Sequence, residues 1–349
     1  MKTVTIKDVA RHAKVSISTV SRVLNESGYV SEQTSQRVWR AIEALNYKPN
    51  QLARSLTTGR SRTIGLVLPD ITNPFFPAVA RGVEDAANVN GYTVILCNTD
   101  ADPEQEKAYV TALREKRVDG FVFTVSGPDA STILGLIEAD IPVVVIDRCV
   151  EGASVDSVLI YNEQWAYEAT MHLIGLGHRA IAYINGPDDL TTSKERYAGY
   201  RKALADAGVS FNPALVRTGD FRYPSGHARM RELLASGQEV TAVFAANDMM
   251  AIGAMRAIQE WGLRVPEDIA VVGFDDILLA SLIKPSLTTI SQPAYHMGAL
   301  AVEMLLERIG GAQGGEARTK ICHARLVVRE SCGGRREEFG TRNRGVGQP

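Results

Sequence analysis

Apolar residues recur at two different periods along this chain, and the change between them falls near residue 62. Before it, the spacing is that of short helices. Ile6, Val9, Ala10 and Ala13 stand at i, i+3, i+4 and i+7 and form one apolar face. Thr5, ahead of Asp8, fits a capping box, in which side-chain oxygens satisfy the orphan N–H groups at a helix start. Lys14-Val15-Ser16 interrupts the pattern. Ser16 can cap a second helix that turns Val20, Val23 and Leu24 inward and leaves Ile17, Ser18, Ser21, Arg22 and Asn25 outside. After a short loop, Ser31 can cap a third helix with Val38, Ala41, Ile42 and Leu45 on one face. So small a core is marginal by itself. Periodicity leaves two readings of this head: a helix-turn-helix whose mixed outer face suits the major groove of DNA, or small helices that only pack.

Asn46-Tyr47-Lys48-Pro49-Asn50 ends the third helix, and Gln51–Leu56 is a short helix-prone stretch. Two turns of isolated helix are unstable in water, so this stretch either orders when something holds it or is a plain flexible linker.

From Thr63 the period alternates between strand and helix. Strands are predicted at 63–68, 92–97, 120–125 and 142–147, with helices at about 76–90, about 103–116 and up to about 139. The alternation restarts with a helix over about 163–176 and strands at 180–184, 215–218, 242–245 and 269–274. Continuous apolar strands separated by amphipathic helices imply parallel sheets covered on both faces. Two such halves enclose a cleft, and ligands of open α/β sheets bind beyond the carboxyl ends of the strands.

Charge sharpens the division. Residues 1–62 hold 11 Lys/Arg against 4 Asp/Glu, whereas the remainder holds 27 against 36, although the whole chain nets only −2. A basic head on an acidic body points to a polyanion partner for the head alone. The N-terminus has no apolar h-region and no run approaches the roughly 18 apolar residues of a membrane span, so a cytoplasmic protein is expected. Cys97, Cys149, Cys322 and Cys332 are scattered without CxxC spacing, which predicts reduced thiols and no metal site. A P-loop, a G-x-S-x-G elbow and an HExxH helix are all missing, so neither an enzyme nor a bound cofactor is expected. A transport protein with the same body would carry a signal peptide and lack the basic head.

Thr5-Ile-Lys-Asp-Val-Ala10, Val15-Ser16, Thr19-Val-Ser-Arg-Val-Leu-Asn25, Tyr47-Lys-Pro-Asn50, Ala53-Arg-Ser-Leu56, Gly177-His178, Ala246-Asn-Asp-Met249 and Val272-Gly-Phe-Asp-Asp276 together resemble the lac, galactose and purine repressor family of bacterial transcription regulators. The resemblance covers residues 3 to about 331. It implies an all-α helix-turn-helix domain over 1–46, a hinge helix and linker over 47–62, and a two-lobed α/β effector-binding and dimerisation body over 63–332, like periplasmic binding proteins. The N-lobe would take about 63–161 plus 293–321, the C-lobe about 162–292 plus 322–332, and 333–349 would be a disordered tail.

The same resemblance implies that Ile17, Ser18 and Arg22 read base edges, while Thr5, Thr19, Ser21, Asn25, Tyr47 and Asn50 set register on the DNA backbone. Leu56, with Ala53 beside it, would wedge into the minor groove, and two copies prying open one step imply a homodimer on a pseudo-palindromic operator. Asn73, Phe75, Phe76, Asp147, Arg148, Arg196, Phe221, Asn247, Asp248, Asp275 and Gln292 match effector contacts. Carboxylates, amides and guanidinium groups suit sugar hydroxyls, and aromatic rings suit C–H faces, so a pentose or hexose is the expected effector, with a nucleobase or a phosphorylated sugar as the alternatives. Helix-end packing for Phe75 and Phe76 and helix capping for Asp275 remain alternatives. Three positions depart from the family: Lys14 stands where glycine is usual at the tight turn, Tyr161 replaces an aspartate before Asn162, and Trp165 occupies a usually small position. The two aromatics could narrow the pocket or offer a stacking surface. The expected protein is a repressor of carbohydrate-catabolism genes whose operator affinity is set by the effector.

Overall fold

The computed structural model describes residues 4–25, 27–47, 60–125, 127, 129–148, 150, 152–311 and 315–334. The hinge helix expected within 47–62, including Asn50, Ala53 and Leu56, and nearly all of the expected tail lie outside the described residues, as does the side chain of Asn25. The chain divides into two compact units, 1–61 and 62–349.

The first unit holds α1 (Ile6–Ala13), α2 (Ile17–Asn25) and α3 (Glu32–Ala44). The Asp8 carboxylate accepts from Thr5 N at 3.0 Å and Thr5 Oγ1 at 2.7 Å, which fixes the start of α1. Lys14 ends it in the left-handed conformation (φ 53°, ψ 47°), so the turn forms without the usual glycine at a cost of about 1–2 kcal/mol. Ser16 Oγ accepts from Thr19 N at 3.1 Å and caps α2. Val9, Val20 and Val38 are fully buried where the three helices meet.

The second unit contains β1 (Thr63–Leu68), α4 (Phe75–Val89), β2 (Thr93–Asn98), α5 (Pro103–Glu115), β3 (Gly120–Phe123), α6 (Ser131–Glu138), β4 (Val143–Ile146) and β5 (Asp156–Leu159). Then come α7 (Asn162–Gly175), β6 (Ile181–Asn185), α8 (Thr191–Asp206), β7 (Val216–Thr218), α9 (Tyr223–Ala235), β8 (Ala242–Ala245), α10 (Asp248–Glu260), β9 (Ala270–Asp275), α11 (Leu278–Leu282) and β10 (Thr288–Ser291). Last are α12 (Ala294–Ile309), β11 (Thr319–Ile321) and β12 (Arg325–Val327).

The strands form two six-stranded sheets, β11-β5-β4-β3-β1-β2 and β12-β10-β9-β8-β6-β7. The first is parallel throughout; in the second, β12 runs antiparallel to β10. The chain passes between the lobes three times: between β5 and α7, between β10 and α12, and between β11 and β12. Hydrophobic pattern did not reveal β5, β10, β11 or β12. β5 opens on Asp-Ser, β10 on two threonines, and the two edge strands are three residues long, β11 exposed throughout and β12 with no fully buried residue. No helix among the described residues is long and apolar enough to cross a membrane.

Helix pairs approach closely at glycines. A Cβ on Gly82 of α4 would fall 2.0 Å from Tyr295 O of α12, and one on Gly298 would fall 2.2 Å from Val79 O. The same device seats α9 on α10, where a Cβ on Gly226 would lie 2.2 Å from Met250 O.

Candidate functional site

In the head, α2 presents Ile17, which is 44% exposed, together with exposed Ser18 and Arg22. Thr19 and Ser21 are half-buried on its flank. The Ser16 hydroxyl lies 2.7 Å from Ser18 Oγ and 2.8 Å from Thr19 Oγ1, so the helix start carries a cluster of hydroxyls that can donate or accept. Exposed Thr5 begins α1, and half-buried Tyr47 packs against the small core. Lys7, Arg11, Lys14, Arg22, Arg37 and Arg40 are all exposed.

In the body, a cavity of about 250 Å³ opens between the two lobes at the carboxyl ends of the strands. Nine of the eleven expected effector residues line it: Asn73, Phe75 and Phe76 after β1, Asp147 and Arg148 after β4, Arg196 on α8, Phe221 after β7, Asn247 after β8 and Asp275 at the end of β9. Phe75 and Phe76 meet edge to face, with centroids 5.2 Å apart. Phe221 lies over Gly186, where a Cβ would fall 2.1 Å from its ring. Its carbonyl accepts from Asn247 Nδ2 at 2.9 Å, and Asn247 Oδ1 caps α10 by accepting from Met250 N at 3.0 Å.

The floor is an alternating line of charges. Asp147 Oδ2 is 3.7 Å from Arg148 Nε, and Asp147 Oδ1 is 4.0 Å from Arg196 Nη2 across the lobes. Arg196 Nη1 lies 3.9 Å from Asp275 Oδ1. Shorter bonds fix each guanidinium: Arg196 Nε donates to Asn162 Oδ1 at 2.8 Å and Nη1 to Ala246 O at 2.7 Å, and Arg148 Nη1 donates to Val125 O at 2.5 Å. Arg196 also stacks on Phe274, 3.8 Å from the ring centroid. Asp147 Oδ1 and Arg148 Nε nevertheless have no hydrogen-bond partner. Burial pushes the Asp147 carboxyl above its ordinary range despite Arg196 and Arg148, and it pushes Asp275 up to about 7 against the pull of Arg196. Asp147, Phe221 and Asp275 hold φ values of 70°, 66° and 120°, backbone conformations uncommon outside glycine.

Asp248 and Gln292 do not line the cavity. The buried Asp248 carboxylate accepts from Ile277 N at 2.9 Å and Thr289 Oγ1 at 2.5 Å, clamping the turn after β9. Gln292 Nε2 donates to Asp275 Oδ1 at 2.8 Å, placing it behind that carboxylate, while its Oε1 is left without a partner. Asp275 therefore serves no helix cap: it holds Gln292 and faces the cavity. Tyr161 is 58% exposed and Trp165 packs edge to face on His323 at 5.2 Å; neither lines the cavity, so neither narrows it.

The cavity also takes in Asp70, Asp189, Thr192 and Arg222, which sequence reasoning missed. Asp70 and Asp189 follow β1 and β6, so the rule that ligands sit beyond strand ends could have found them. Arg222 Nε reaches across the mouth to Asp70 Oδ2 at 2.9 Å, joining residues 152 positions apart. Burial pushes Asp70 upward, but hydrogen bonds from Thr72 and Arg222 outweigh it and hold its carboxyl below the ordinary range.

A two-lobed body with a polar interlobe cleft, on a chain with a basic three-helix head, defines a ligand-responsive DNA-binding regulator. Comparison with known proteins names the family. Residues 5–50 match the model for bacterial regulatory proteins of the lacI family, and residues 61–329 match that for periplasmic binding proteins and the sugar-binding domain of the LacI family. The chain belongs to the LacI family of transcription regulators. It is 45% identical to the HTH-type transcriptional repressor PurR of Aliivibrio fischeri (87% of this chain, 91% of that one). It is 42% identical to the ribose operon repressor of Halalkalibacterium halodurans (95% and 97%). The crystal structure of the lac repressor dimer bound to operator and the anti-inducer ONPF superposes with a TM-score of 0.84 at 32% identity (95% and 99%).

Proposed function

We propose that this chain is a homodimeric repressor of carbohydrate-catabolism genes that responds to a free monosaccharide, a pentose such as ribose foremost. The observation that carries this reading is the floor of the cleft. Paired carboxylates and guanidinium groups, with Asp147 Oδ1 and Arg148 Nε lacking hydrogen bonds, are complementary to adjacent hydroxyls, each of which donates and accepts. Phe75, Phe76 and Phe221 supply apolar faces for the C–H side of a sugar ring. The cavity is smaller than the roughly 300–1,000 Å³ of drug-sized pockets, which favours a small ligand. The likeness to a ribose operon repressor points the same way.

In this reading Ile17, Ser18 and Arg22 choose the operator, and Thr5, Thr19, Ser21, Asn25, Tyr47 and Asn50 set register. Leu56 with Ala53 wedges the central step. Ligand and operator are coupled through the separation of the two copies' linkers, typically by 1–3 kcal/mol. The protein works in the cytoplasm, where its operator lies.

The test is a thermal-shift and calorimetric screen of the full chain against pentoses, hexoses and purine bases, followed by operator binding with and without the hit. Binding of the folded state raises apparent stability by mass action. A monosaccharide hit that changes operator affinity is expected. A purine base that stabilises the protein where no sugar does would overturn the sugar assignment in favour of the chemistry that the name of the PurR relative suggests.

A further inference from the structure

The floor of the cleft sets a carboxyl group against each guanidinium; its rim does not. Asp147 and Asp275 face Arg148 and Arg196 below. Around the mouth stand the carboxylates of Asp70, Asp100, Asp189 and Asp220, with Arg222 as their counterpart. Arg222 is committed to Asp70 at 2.9 Å. Asp100 accepts from the neutral Asn98 amide at 2.8 Å, and Asp220 from the Arg222 backbone N–H at 2.9 Å. Among the described residues lining the cavity, no other basic side chain stands at the rim.

We propose that this rim selects an uncharged ligand and rejects its phosphorylated form, so that the effector is a free sugar and not a sugar phosphate. The inference rests on the cleft being the effector site. That a ligand belongs there is indicated separately by Asp147 Oδ1 and Arg148 Nε, on side chains more than nine-tenths buried, which face only ion-pair partners 3.7–4.0 Å away and make no hydrogen bond. A phosphate held at the mouth meets three carboxylates, Asp100, Asp189 and Asp220, that make no ion pair of their own; they feel only Arg222, already paired with Asp70, and Arg148 at the floor. The floor guanidinium groups cannot compensate, because each already faces a carboxylate and donates to a carbonyl. Like charges brought together at a partly desolvated site are strongly disfavoured. Asp100, Asp189 and Asp220 are exposed, so salt should weaken the discrimination.

Calorimetry on the full chain with D-ribose and D-ribose 5-phosphate tests this, at about 20 mM and about 300 mM salt. The phosphate is expected to bind roughly 100-fold more weakly at low salt. The ratio of dissociation constants should fall about tenfold at high salt, and likewise in the triple variant Asp100→Asn/Asp189→Asn/Asp220→Asn. Asparagine keeps the shape and the acceptors for Asn98 and Arg222, so the variant removes charge alone. Equal or tighter binding of the phosphate overturns the proposal. A ratio unmoved in the variant also overturns it, because shape would then be the filter. The measurements are repeated with inosine and its 5′-monophosphate. If only this pair binds and shows the charge effect, the sugar assignment fails while the rim's role stands. A cleft that binds neither member of either pair sinks both.

Discussion

Asp275 combines burial, a left-handed backbone and a carboxyl pushed up to about 7 at the centre of the cleft. Ligand hydroxyls donate best to the ionised form, so binding should drive its proton off. The sign follows: effector affinity should rise with pH between about 5.5 and 7.5, and binding near pH 6.5 should release protons. Calorimetry in two buffers of different ionisation enthalpy reads that release, which Asp275→Asn should abolish. Asp156 behaves in the opposite way. Burial raises its carboxyl, but Arg308 and Arg318 outweigh it and hold it at about 2, accepting five hydrogen bonds in all from those two residues. A depressed carboxyl contributes stability that is present above about pH 4 and lost as pH falls toward 2. Asp156→Ala should cost about 3 kcal/mol, because it strands two arginines and frees the approach to β11; an unchanged urea midpoint would contradict that. Asp147, Arg148 and Asp275, picked out through the family resemblance, were legible as cavity residues because each ends or follows a strand. Asp248 was not, because the same carboxylate can face a ligand or clamp a turn, and only the fold decides.

At the scale of elements, the apolar strands and amphipathic helices could be read because burial on both faces leaves continuous hydrophobic runs. Edge strands escape that logic. β11 is three residues of Thr-Lys-Ile, exposed throughout, and it is defined by its pairing with β5, not by its own pattern. The glycine contacts were equally hidden, since a helical glycine looks like a weak helix position until its partner backbone is placed. Gly82→Ala should push α4 and α12 apart at the Tyr295 carbonyl and destabilise the body by about 2 kcal/mol. Chemical denaturation checks this, with Ala78→Gly at an exposed position of the same helix as the comparison: its cost should be that of helix propensity alone, about 1 kcal/mol.

For the whole molecule, the Asp70–Arg222 contact is a strap between lobes whose ends are otherwise linked by three short connections. Arg222 is about half exposed, so the strap is worth little by itself, roughly 0.2–1 kcal/mol, and is sensitive to salt. Arg222→Gln should weaken effector binding up to about fivefold through faster release, and most of the effect should vanish at high ionic strength. Stopped-flow dissociation at two salt concentrations measures it; unchanged release at low salt would show that the lobes stay closed without the strap. The chain's path between lobes has a consequence during synthesis. Each sheet takes its final edge strand from residues 319–327, and the N-lobe also needs α12. Neither lobe can therefore be completed on the ribosome until almost the entire body has emerged. The usual order, in which an N-terminal domain finishes first, is closed to this body: its two lobes must mature together, late, while the small head upstream has long been free to fold.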